Sequence, residues 1–104
     1  MRDPRTERIA ETEVRFRDIN ERLRGDLEAL AGESEPVYFV CECGNPECRD
    51  GVPLALRDYM AIRANPLRFG VVPGHEIPDV ETVIERHDDY LVIEKPAEVA
   101  DIVA

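Results

Sequence analysis

Val37-Tyr38-Phe39-Val40-Cys41-Glu42-Cys43-Gly44-Asn45-Pro46-Glu47-Cys48 carries all three cysteines of a 104-residue chain. Its first five residues are β-branched, aromatic or small and apolar, which predicts a strand. From Glu42 to Asp50 the sequence is polar, and Gly44, Asn45 and Pro46 set a turn. A strand that ends in Cys41 and turns at Gly44 lets the three thiols of C-x-C-x4-C converge on one point. Such thiolates are metal ligands, and zinc takes them at about 2.3 Å in a tetrahedron of four. A secreted disulfide framework would carry an even number of cysteines spread along the chain. Three clustered thiols speak instead for a metal or a redox role.

Three cysteines require a fourth ligand. His75 follows Pro73-Gly74 in a loop directly after a predicted strand, a position from which loops present ligands, and it is the favoured fourth. His87 precedes Asp88-Asp89 in a predicted hairpin turn and reads as a surface residue. It, an acidic side chain or water are the alternatives. With Cys41, Cys43, Cys48 and His75 engaged, zinc keeps no open position for water, and a closed site is structural. It couples metal binding to folding in a chain too short to build a large core. Glu76 beside His75 raises a zinc-hydrolase reading, but H-E-x-x-H needs a second histidine and position 79 is Asp. No Gly-rich phosphate loop is present, and the one serine, Ser34, falls in a linker. No enzyme is expected. The competing reading is a thiol-based sensor in which oxidation of Cys41 or Cys43 releases zinc.

Upstream, residues 4–31 read as one helix, with Asp3 as N-cap, Pro4 at the first helical position and Gly32 at the C-terminal cap. Ile9, Phe16, Ile19, Leu23, Leu27 and Leu30 form one apolar stripe. Gly25 is a possible break. At 1.5 Å per residue the helix is about 40 Å long, more than the rest of the chain covers. Either its N-terminal half projects to meet a partner, or the helix bends back. Ile9, Phe16, Ile19 and Leu23 are the candidate partner surface, for a second copy of the chain or another protein.

Downstream, Gly51–Leu54 predicts a short edge strand, because Pro53 cannot donate to a central ladder. Leu56–Asn65 predicts a helix that Pro66 ends. Phe69–Val72 predicts a strand. Val80, Val83, Ile84 and His87 also fit a helix, but the β-branched run through Val80–Arg86 favours a β-hairpin with Tyr90–Glu94. Pro96 ends the fold, leaving 97–104 as a tail compatible with helix. The fold class is therefore α+β: a long N-terminal helix (1–33), then a small antiparallel sheet with one short helix and a zinc knuckle (34–96).

Charge excludes further classes. The chain carries 13 basic and 23 acidic residues, a net of −10. Neither the first 36 residues nor the remainder is basic, so nucleic acid and anionic lipid are poor partners. Protein partners with basic surfaces fit better. Glu42 and Glu47, inside the knuckle, extend the negative surface over the metal site. No signal-peptide core is present, and a soluble cytoplasmic protein is expected. The predominance of arginine, twelve against the single Lys95, suggests a GC-rich bacterial source.

Two resemblances follow from these residues. Cys41, Cys43, Gly44 and Cys48 resemble the zinc motif that follows the catalytic domain of SET-type lysine methyltransferases, which implies zinc and not methyl transfer. More of the chain resembles a family of small, uncharacterised actinobacterial-type proteins. Phe16-Arg17-Asp18-Ile19-Asn20-Glu21-Arg22, Phe39-Val40-Cys41-Glu42-Cys43 with Cys48, Pro73-Gly74-His75-Glu76 and Tyr90 to Lys95 carry that likeness. It implies His75 as a ligand and no particular activity. The expectation is a small zinc-binding protein that acts as a protein-interaction or regulatory module.

Overall fold

The computed structural model describes residues 2–30 and 34–104. Helix α1 (Pro4–Leu30) starts at its expected cap: Asp3 Oδ1 accepts a hydrogen bond from the Arg5 N–H at 2.9 Å, and the Asp3 carbonyl accepts one from the Glu7 N–H. The helix runs unbroken through Gly25. The Gly32 cap lies outside the described residues.

Strands β1 (Pro36–Val40) and β2 (Gly51–Ala55) form an antiparallel ribbon in which Pro53 stands opposite Tyr38. Helix α2 (Leu56–Arg63) follows directly, and then β3 (Arg68–Val71), β4 (Thr82–Arg86) and β5 (Leu91–Glu94) make a second antiparallel sheet in the order β3-β5-β4. The α+β class holds, with two small sheets where one was expected. The predicted hairpin is the β4–β5 pair, with an irregularity between Val83 and Glu85. The segment after β1 joins the two sheets. The Cys41 N–H bonds to the Asp50 carbonyl at 3.0 Å, and the Glu42 N–H bonds to the Gly70 carbonyl of β3 at 2.9 Å.

The core lies between α1, α2 and the sheets, centred on Phe39, Tyr59, Phe69, Val71 and Ile93. Phe39 and Tyr59 stack with ring centroids 4.4 Å apart. Two expectations change. Pro96 does not end the fold: a single 3₁₀ turn (Ala97–Val99) and α3 (Ala100–Val103) bury Val99 and Val103 completely, and Arg2 pairs with Asp101. The helix overhang is also at the other end from the one expected. Ile9, Ala10, Thr12, Glu13, Phe16 and Asn20 are buried, while Leu23 and Leu27 are half-covered and Leu30 is 83% exposed. Ile9 and Phe16 are therefore closed to a partner; of the four proposed partner residues Ile19 alone is well exposed. The apolar stripe misplaces the buried face because two polar side chains, Glu13 and Asn20, occupy it.

Candidate metal centre

β1 delivers Cys41 at its end, and the Cys48 N–H bonds to the Asn45 carbonyl at 3.0 Å, closing the turn that returns the chain. Gly44 permits that turn to lie flat against α1, since a Cβ there would stand 2.6 Å from Ile9 Cγ2. From the other side, the loop after β3 is held by a His75 N–H to Val72 carbonyl bond of 2.9 Å, with Gly74 at φ +95°. Only a residue without a Cβ takes that backbone angle at no steric cost.

These two loops bring Cys41, Cys43, Cys48 and His75 together, one ligand atom from each lying within 4.8 Å of the others. The three cysteines are buried and unbridged. His75 Nδ1 is 3.5 Å from Cys41 Sγ and 3.5 Å from Cys48 Sγ, so Nδ1 is the nitrogen turned to the thiols. The group can hold a metal ion. His87 stands elsewhere, exposed, with Nε2 2.9 Å from Glu85 and its ring stacked on Tyr90.

The electrostatics favour thiolate at this point. A hydrogen bond from the Cys41 thiol, then the Asn45 backbone and the His75 side chain, bring Cys43 down to about 5 against the opposing effect of burial. Cys41 is pushed up by that same bond and by burial, and Cys48 is raised by burial first. The thiolate is thus favoured at Cys43 among three converging sulfurs, and a cation bound at the centre would displace the remaining protons. The Val72 N–H adds a bond to Cys41 Sγ at 3.2 Å.

Two groups around the site are not readable from the cysteine spacing. Asp50 Oδ2 lies 3.3 Å from His75 Nε2, where it orients the ring that offers Nδ1 inward. Asp50 arrives there because its carbonyl pairs with the Cys41 N–H. Glu42 is the second, and its burial removes one of the two acids expected to extend the negative surface over the metal site, Glu47 remaining exposed. With Cys41 and Cys43 turned to the cluster, Glu42 points the opposite way and is 1% exposed. Its Oε1 accepts from the Gly70 N–H at 3.0 Å and its Oε2 from Asn20 Nδ2 at 3.0 Å, with Arg63 Nη2 at 3.7 Å. Burial raises its pKa, while Arg63 and Asn20 act against that. Glu76, the residue weighed as a hydrolytic base, accepts from the Gly74 N–H within its own loop at 2.7 Å.

No protein-family profile, curated protein or solved structure matches this chain. No helix among the described residues is long and apolar enough to cross a membrane.

Proposed function

We propose that Cys41, Cys43, Cys48 and His75 bind one zinc ion through three thiolates and Nδ1, and that this structural site organises a small protein-interaction or regulatory module of the bacterial cytoplasm. The observation that carries the reading is the pair of 3.5 Å sulfur–nitrogen separations. Legs of about 2.3 Å to sulfur and about 2.05 Å to nitrogen, meeting at the tetrahedral angle, give an S···N edge of about 3.5 Å. Four protein ligands fill the tetrahedron, so the zinc supports the fold and not hydrolysis. The excess of acidic residues favours partners with basic surfaces and makes association salt-sensitive.

Metal analysis of the purified chain, paired with Cys48→Ser, tests the site. The expected result is one zinc per chain, lost together with cooperative unfolding in the variant. A fully folded chain that neither contains nor takes up zinc overturns it. A second reading has its own observation: a cavity of about 260 Å³ lined by Cys43 and His75 opens on the ligands. Through it an oxidant such as hydrogen peroxide reaches Cys43, and joining Cys41 to Cys43 expels zinc. Zinc release at low peroxide, reversed by a thiol reductant, distinguishes this sensor from an inert site.

A further inference from the structure

A cleft of about 480 Å³ lies between the first turns of α1 and the metal loop, a size that small-molecule sites share. Arg5, Arg8 and Arg15 line it from the helix, together with the single acid Glu11. Ile9, Ile77 and Pro46 supply its apolar surface. A chain of net charge −10 thus gathers three cations around one partly apolar hollow.

The arginines differ in what holds them. Arg2, Arg24, Arg63 and Arg68 each pair with a carboxylate of the fold, and Arg5 is tied to Asp79 at 2.7 Å. The guanidinium groups of Arg8 and Arg15 have neither an ion pair nor a hydrogen bond among the described residues, yet both face this cleft. They stand seven positions apart, two turns along one helix face. A free guanidinium offers a planar fork of donors matched to carboxylate or phosphate oxygens.

We infer that this cleft binds a small organic anion: one carboxylate or phosphate group carried on an apolar body. The anionic group takes Arg8 and Arg15, and the body lies on Ile9, Ile77 and Pro46. A long polyanion is disfavoured by the chain's net charge of −10. The inference goes beyond the module reading and rests on the residues of the cleft, whatever metal the adjoining loop holds.

Titrations of the ¹⁵N-labelled full chain, followed by amide shifts, provide the test. The probes are phenyl phosphate, 3-phenylpropionate, the neutral 3-phenylpropanol and inorganic phosphate. Saturable shifts at Arg8, Thr12, Arg15, Gly44 and Asn45 are expected with at least one aromatic anion. The stronger of the two identifies the head group. Arg8→Gln with Arg15→Gln should weaken that binding roughly tenfold or more, from the loss of charge-assisted bonds. The remaining spectrum should be unchanged, and Arg22→Gln with Arg57→Gln should bind as the parent does. The inference is overturned if neither aromatic anion gives saturable shifts up to about 10 mM. Equal binding of the neutral alcohol, equal binding of inorganic phosphate alone, or undiminished binding by the Arg8/Arg15 variant overturns it as well.

Discussion

Lys95 Nζ lies 3.0 Å from Glu13 Oε1, and both side chains are completely buried. The same ammonium donates to Glu81 Oε1 at 3.0 Å, and Glu81 Oε2 accepts from the Ile77 N–H at 2.8 Å. The only lysine of the chain therefore joins the long helix, the end of β5 and the loop leading away from His75. Its approach to Glu13 is close but misaligned, so neither Glu13 oxygen has a hydrogen-bond partner among the described residues. Burial first, and then neighbouring Glu81, push the Glu13 carboxyl up to about 9. Burial and the neighbouring Glu81 thus favour the protonated form of Glu13 beside the Lys95–Glu81 ion pair.

That assignment predicts unequal effects for two substitutions. Lys95→Met leaves Glu81 as a buried carboxylate without its cation, which costs about 3–5 kcal/mol. Glu13→Gln replaces one neutral group by another of similar shape and spares the chain the proton uptake that folding requires at pH 7, so it should not destabilise. Urea unfolding of the two variants measures both. A harmless Lys95→Met, or a Glu13→Gln as damaging as Lys95→Met, contradicts the charge assignment.

The raised Glu13 pKa also fixes a direction with pH. Between the ordinary carboxyl value of 4.5 and about 9 the folded chain holds a proton that the unfolded chain has released. The stabilisation from this proton is complete below that window and is lost as pH rises through it, at up to about 1.4 kcal/mol per pH unit. Glu13→Gln removes the dependence. Its stability relative to the parent should therefore rise from pH 6 to pH 9, measured at a fixed excess of zinc so that metal linkage cancels in the difference. A flat difference contradicts the prediction.

Asp50→Asn probes the metal centre without touching a ligand. The Asp50 side chain is 63% exposed, so its loss leaves the core intact, but it removes the carboxylate facing His75 Nε2. Metal affinity should fall about 10- to 100-fold while the zinc-saturated chain keeps its fold. Competition with a chromophoric chelator reads the affinity, and circular dichroism of the saturated variant checks the fold.

Asn20 takes the place of a strand neighbour for Val40. Its Oδ1 accepts from the Val40 N–H at 2.8 Å, and its Nδ2 donates to the Val40 carbonyl at 2.8 Å and to Glu42. Asn20→Leu keeps the branched skeleton and abandons all three partners, two of them backbone groups. A loss of roughly 2–3 kcal/mol is expected. Denaturant midpoints for Asn20→Leu and for the exposed control Ile19→Asn should separate, with only the former shifted strongly.

What the sequence reveals and hides has one physical division. The strand ending in Cys41 and the turn at Gly44 follow from local chemistry, as do the placement of His75 after Pro73-Gly74 and the β4–β5 hairpin. Their determinants lie within a few residues. Glu13, Glu42, Glu81 and Lys95 carry no local sign of burial, because charged side chains ordinarily stay in water. Each is tolerated inside only through partners distant in the chain, such as Asn20 and Arg63 for Glu42. The same long-range pairing brings Asp50 to His75. It also rotates α1 so that Glu13 and Asn20, and not Ile19 and Leu30, face inward.

Gly44 is where the helix and the metal loop meet most tightly, and Gly44→Ala tests whether the contact sets the geometry of both. The added methyl would stand 2.6 Å from Ile9 Cγ2 and 3.0 Å from Ile77 Cδ1. Ile9 cannot swing its β-branched methyl aside, because its χ1 is restricted in a helix. Either α1 or the loop must shift, and overpacking of this kind costs about 1–3 kcal/mol. Displacement of the loop moves Cys43 and Cys48 as well, so zinc affinity should fall together with stability. Gly25→Ala is the control: none of the described residues lies within 4 Å of its added methyl, and it should stabilise α1. Unfolding and chelator competition on the two variants separate the outcomes. A Gly44→Ala chain with parental stability and zinc affinity would show that the helix and the loop meet less closely than 2.6 Å implies.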